Sequence, residues 1–200
     1  MELLVLNWWD YGALFSIIFI GIPHGAFDGA IAIALGYSKK IKIQLSFIFI
    51  YMLIAMVVVF VWIYFPVFSL TFFLFLSIFH FGLGDLEWKK NIVYILDGYF
   101  HGGLIVFGII FLNKDKVEIF FSALSGSDLS LLWYSLYAGA FVWLVVAVFL
   151  FFYNKKKILS REYFKLVFPI LFIILLFPAL PAFALYFCLI HSWKHVSRIL

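Results

Sequence analysis

The chain has very little with which to face water. Charged residues occupy 12% of its 200 positions and hydrophobic ones 67%, where typical soluble domains are about half apolar. That balance excludes a water-soluble globular domain. A single cysteine, Cys188, excludes an intrachain disulfide and a cysteine-built metal cluster. Linkers, internal repeats and low-complexity tracts are also missing, so one integral-membrane domain over residues 1–200 is expected. The net charge of +4 and pI of 9.1 come from short lysine clusters between apolar runs. Membrane topology explains such clusters, and nucleic acid is excluded as a partner. The first apolar run is long, has no basic segment before it and carries polar residues at its centre. It reads as part of the mature protein, not as a cleavable leader.

What the sequence does have is a succession of apolar runs near the ~20 residues that cross a bilayer. They fall at about 11–36, 43–64, 67–84, 92–112, 131–153, 163–178 and 181–195. This predicts an all-α, polytopic fold with about seven transmembrane helices. Trp8 and Trp9 suit an interfacial belt. Pro66 predicts a tight turn, Pro169 a break in the sixth span and Pro178 its end. The segment 113–130 is the least hydrophobic; a short interfacial helix is predicted at Glu118–Leu124, then a loop at 125–128 that leads to a helix cap. Lys39, Lys40, Lys42, Lys89, Lys90, Lys155, Lys156, Lys157, Arg161 and Lys165 lie on one side of this topology, against Lys114 and Lys116 on the other. The asymmetry predicts an external N-terminus and a cytoplasmic C-terminus in the cell (inner) membrane.

The polar residues inside these runs are costly there and need a reason. In Gly21-Ile22-Pro23-His24-Gly25-Ala26-Phe27-Asp28-Gly29, His24 and Asp28 share one helix face and the glycines at spacing four make an adjacent bare one. Pro23 cannot donate an N–H to the carbonyl of Phe19 and is expected to kink the helix. All five histidines, His24, His80, His101, His191 and His195, fall in apolar runs and none in a polar loop. By depth they occupy one slab, from the midplane to the cytoplasmic side.

Such a slab can hold a metal. Neutral imidazoles suit iron, copper, zinc and nickel. His191 and His195, four apart, can bind one ion from one helix, and His24 with His80 can complete a four-histidine set. Asp28 and Asp85 are candidates to orient imidazole N–H groups or to ligate directly, with His101 in the same supporting role. Read alone, Asp85 at the end of its run is an interfacial cap, the glycines are packing residues and Cys188 is inert packing.

Three motifs resemble the Brp/Blh family of membrane β-carotene 15,15′-dioxygenases: Gly21-Ile22-Pro23-His24-Gly25-Ala26-Phe27-Asp28; His80-Phe81-Gly82 with Asp85; and Phe183-Ala184-Leu185-Tyr186-Phe187-Cys188 leading to His191-Ser192-Trp193-Lys194-His195. Their order and rough spacing match over nearly the whole chain. The resemblance implies Fe(II) held by His24, His80, His191 and His195. It implies O₂ as co-substrate, cleavage of the central double bond of β-carotene into two all-trans-retinals, and hand-over of retinal to a rhodopsin. An apolar substrate that partitions into membrane lipid suits an enzyme embedded there. Phe79, Phe81, Tyr99, Phe183, Tyr186 and Phe187 are candidates to shape the cleft, with Tyr186 the choice for contact with substrate or oxygen. Two other classes compete: a bis-histidine haem electron carrier, which needs only two facing histidines, and a metal or proton transporter, which also places ionisable groups in the membrane.

Overall fold

The computed structural model describes residues 6–21, 41–86, 92–126, 128–153, 155–158 and 160–194. Among them every regular element is helical. Helix α1, Trp8–Ser16, opens with reciprocal caps: the Asn7 side chain accepts from the Asp10 N–H, and the Asp10 carboxylate accepts from the Asn7 N–H. It widens into a π-helical turn at Ile17–Gly21. Then follow α2 (Ile41–Tyr64), α3 (Pro66–Asp85), α4 (Ile92–Leu112), α5 (Lys114–Ser125), α6 (Ser130–Tyr153), α7 (Lys155–Ile158), α8 (Arg161–Leu176) and α9 (Ala179–Leu185). A second π-helical turn, Tyr186–His191, continues α9.

Four of these, α2, α3, α4 and α6, are long and apolar enough to cross a membrane. Their bounds lie within two residues of the second to fifth predicted spans. The first predicted span is described only up to Gly21 and the seventh only up to Lys194. Pro66 occupies the first turn of α3, where its missing N–H costs nothing, and Phe65 alone links α2 to α3. The predicted break at Pro169 is corrected: α8 runs through it without interruption. Proline removes one bond and crowds one carbonyl, which membrane helices tolerate when neighbours or local adjustments satisfy the freed group.

The core is built where α3 crosses α4, the most extensive helix pair in the structure. A Cβ on Gly82 would run into the Gly98 carbonyl, and one on Gly102 into the Ile78 carbonyl. The two backbones therefore touch, as small residues permit in membrane packing. Helix α6 closes on this pair: the Tyr99 hydroxyl donates to the Gly139 carbonyl and the Trp143 indole to the Phe100 carbonyl, each at 2.8 Å. Helix α2 has no buried residue, which suits a segment solvated by lipid all round. The predicted interfacial helix is present and longer than expected. Its start lies one residue after α4, and it ends at Gly126, whose φ of 94° is open to glycine. Val117 and Phe121 of α5 face inward, and Lys116 pairs with the buried Asp10 of α1 at 2.9 Å.

Candidate functional site

The last residue of α3 is the centre of a buried polar network. Asp85 points inward and is 4% exposed. Its Oδ1 accepts from His191 Nδ1 at 3.0 Å, and its Oδ2 from His101 Nε2 at 3.2 Å and the Tyr186 hydroxyl at 3.0 Å. An ionised carboxylate only accepts, so each imidazole presents an N–H to it. In neutral His191 that leaves a lone pair on Nε2, which lies 3.2 Å from His80 Nε2. His80 is exposed and His191 buried, so the facing nitrogens lie at the edge of the described structure.

Local backbone geometry makes this convergence possible. In a regular α-helix, residues five apart point about 140° away from each other. Tyr186 and His191 are five apart, yet both reach Asp85, because the π-helical turn between them stacks i over i+5. A side chain on Gly84 would stand 3.0 Å from His191 Cε1, so the glycine after Leu83 leaves room for the ring. The two π-helical turns pack on each other. Gly21 takes the Phe187 ring where a Cβ would collide, and the Cys188 thiol donates to the Ser16 carbonyl at 3.3 Å. Nothing in local sequence flags either turn, except that Pro23 has no N–H to donate to the Phe19 carbonyl.

Of the predicted site residues, His80, His191, Asp85, His101 and Tyr186 come together. His24, Asp28 and His195 lie outside the described residues. Among the described residues no group of three His, Cys, Asp or Glu could hold a metal ion; the His80–His191 pair is two. Its spacing fits the adjacent ligands of one ion: bonds of ~2.1 Å at a right angle put the nitrogens about 3 Å apart. Asp85, a candidate to orient imidazole N–H groups and, taken alone, an interfacial cap, is bonded to both His191 and His101. Tyr186, expected to touch substrate or oxygen, is fully buried, and its hydroxyl donates a hydrogen bond to Asp85. His101 Nδ1 is buried with no hydrogen-bond partner among the described residues.

Phe81 packs beside this network, with ring centroids 5.0 Å from His191 and 5.3 Å from Tyr186. Its other side lines an apolar cavity of about 420 Å³. The cavity runs between α3, α4 and α9 and is covered by α5 and α1. Of the aromatics expected to shape a cleft, Phe81 and Phe183 line it; Phe79, Tyr99, Tyr186 and Phe187 do not.

A family model described as β-carotene 15,15′-dioxygenase matches residues 15–200. A protein named β-carotene 15,15′-dioxygenase from uncultured marine bacterium 66A03 is 33% identical over 210 aligned residues, covering all of this chain and 71% of that protein. No solved structure matches.

Proposed function

Since the chain belongs to the β-carotene 15,15′-dioxygenase family, we propose that it splits the central double bond of β-carotene with O₂ to give two all-trans-retinals. The carbon–carbon double bond and the oxygen–oxygen bond are broken and two aldehyde groups form, so no outside reductant is needed. We propose iron(II) as the cofactor, with His80 and His191 among its ligands and His24 and His195 completing the set. Iron(II), when bound, supplies the activation of O₂ that a closed-shell polyene cannot provide for itself.

The observation that carries this reading is the His80–His191 pair with its nitrogens 3.2 Å apart. Neutral nitrogen donors suit iron and leave its charge uncancelled. Opposed ligands of a haem would stand about 4 Å apart, twice a ~2 Å bond, so this pair favours adjacent positions on one non-haem ion.

The chain's own residues then have separate tasks. Asp85 holds the His191 N–H, which fixes the tautomer and turns the Nε2 lone pair toward His80. Tyr186 and His101 hold Asp85 from the other oxygen; both are positioning residues in this scheme. Phe81 and its neighbours keep water away from the reacting centre. The substrate enters from lipid, and the enzyme lies in the cell (inner) membrane with its N-terminus outside. Release of retinal to a rhodopsin belongs to the same proposal.

The test is expression in cells that accumulate β-carotene. Bleaching with appearance of retinal is the expected result. Persistent colour with no retinal, from a chain shown to be folded and supplied with iron, overturns the assignment.

A further inference from the structure

Asp85 stands where its charge is least favoured. It is the last residue of α3, and the carbonyls that end a helix already carry partial negative charge. Donors from His101, Tyr186 and His191 offset that charge. They meet the carboxylate only if the last turn of α3 holds its shape, since each helical residue turns a side chain by about 100°. The last four carbonyls of a helix have no partner within it, so such a turn frays unless another group takes them. In α3 the Leu83 carbonyl is one of these, and the Tyr94 hydroxyl donates to it at 2.8 Å. Tyr94 is buried in the first turn of α4. Four residues on, Gly98 holds the same leucine from the side: a Cβ there would collide with Leu83 Cδ2. Three residues further, His101 reaches Asp85 itself. Tyr94, Gly98 and His101 thus form one stripe of α4 that grips the end of α3 by a carbonyl, a side chain and a carboxylate.

We propose that Tyr94 is a positioning residue of the site: its hydroxyl fixes the last turn of α3 and so aims the Asp85 carboxylate at His191. The cleavage chemistry has no step for this hydroxyl. Packing alone does not call for it either, since phenylalanine fills the same space without burying a polar group. Tyr94 acts at two removes, through the Leu83 carbonyl on Asp85 and through Asp85 on the His191 ring. Its effect on a metal rests on the reading of His191 as an iron ligand. Its effect on the aim of Asp85 is a property of the chain without metal, and the two are measured separately.

The test compares two hydrogen bonds that leave the same helix. Tyr94→Phe removes the bond to Leu83, and Tyr99→Phe the bond to Gly139, which has the same length and is also buried. Each should lower the melting temperature of the full chain in detergent by a similar amount. Only Tyr94→Phe should disturb the site. In the chain carrying isotope-labelled histidine, before iron(II) is added, the Nδ1–H that His191 gives to Asp85 is followed by its ring-proton resonance, assigned by its absence from His191→Ala. That resonance should broaden or vanish in Tyr94→Phe and persist in Tyr99→Phe. Para-aminophenylalanine in place of Tyr94, a weaker donor at the same point, should fall between; it decides the matter alone if Tyr94→Phe does not fold. Iron(II) affinity should then drop by roughly 3–10-fold in Tyr94→Phe, less than for loss of a direct partner, and stay unchanged in Tyr99→Phe. Adding Tyr94→Phe to Asp85→Asn should cost no further affinity, because the effect passes through that carboxylate. A wild-type resonance in Tyr94→Phe or in the para-amino variant, its loss in both phenylalanine variants, or an additive loss of affinity in the double variant overturns the proposal. A wild-type chain that shows the resonance contrast but takes up no iron(II) sinks the cleavage reading and leaves Tyr94 in its role. Retinal formation with an intact resonance in Tyr94→Phe does the reverse.

Discussion

His80 and His191 lie 111 positions apart in the chain, and their Nε2 atoms meet at 3.2 Å. One ring is exposed and the other almost fully buried. The exposed ring leaves one side of the pair open, and the buried ring is held from behind by Asp85. A pair of this kind suits a ligand that must be both rigid and reachable.

Replacing His80 with alanine should remove iron and retinal formation together. Since His80 is exposed, the fold should lose little. Metal content of the purified protein and retinal yield are the two measurements. Iron retained at the wild-type level would refute its role as a ligand.

Asp85→Asn keeps the volume but turns an acceptor-only group into one that must also donate. Loss of a partner that orients a metal-bound histidine costs about 10–100-fold in metal affinity. Iron titration of the folded variant should show a fall of that size. An unchanged affinity would mean that Asp85 stabilises the fold without steering His191.

Tyr186→Phe separates two roles. If the hydroxyl acts through Asp85, the variant should still take up iron, more weakly, and retinal formation should follow iron occupancy. A collapse of retinal formation at full iron occupancy would return the hydroxyl to direct contact with substrate or oxygen.

Gly102→Ala should fail through packing. Its Cβ would enter the space of the Ile78 carbonyl, which is backbone and cannot swing aside. Overpacking of this kind costs about 1–3 kcal/mol or more, and the melting temperature in detergent should fall accordingly. Gly12→Ala is the control, since nothing lies within 4 Å of a Cβ there.

Lys116→Met leaves the buried Asp10 carboxylate without its cation. Breaking a fully buried pair costs about 3–5 kcal/mol, but Lys116 is 31% exposed, so about 1–2 kcal/mol is expected after solvent screening. The double variant with Asp10→Asn should regain most of it in thermal unfolding. No recovery would mean that the pair does not tie α5 to α1.

The four helices long and apolar enough to cross a membrane were legible because length, apolarity and punctuation act locally. Pro66 starts α3, Gly126 follows α5, and the lysines lie between the spans. Helix α5 was shorter in expectation than in fact, since Lys114-Asp115-Lys116 reads as loop until Asp10 neutralises Lys116. Pro169 predicts a break by what proline does in water-exposed helices, whereas in an apolar segment neighbours and local adjustments satisfy the freed carbonyl.

Sequence alone determined the helices long and apolar enough to cross a membrane, the residues costly enough in lipid to need a purpose, and the family. The tertiary structure decided which way those residues point. Helices such as α2 and α6 are apolar on every side, so their sequence carries no marker of the facing direction. The π-helical turn that brings Tyr186 and His191 onto one carboxylate, and the glycines that let α3 and α4 touch, depend on neighbours distant in the chain. For that reason Asp85, a cap when taken by itself, became the hub of the site only once α3, α4 and α9 were packed together.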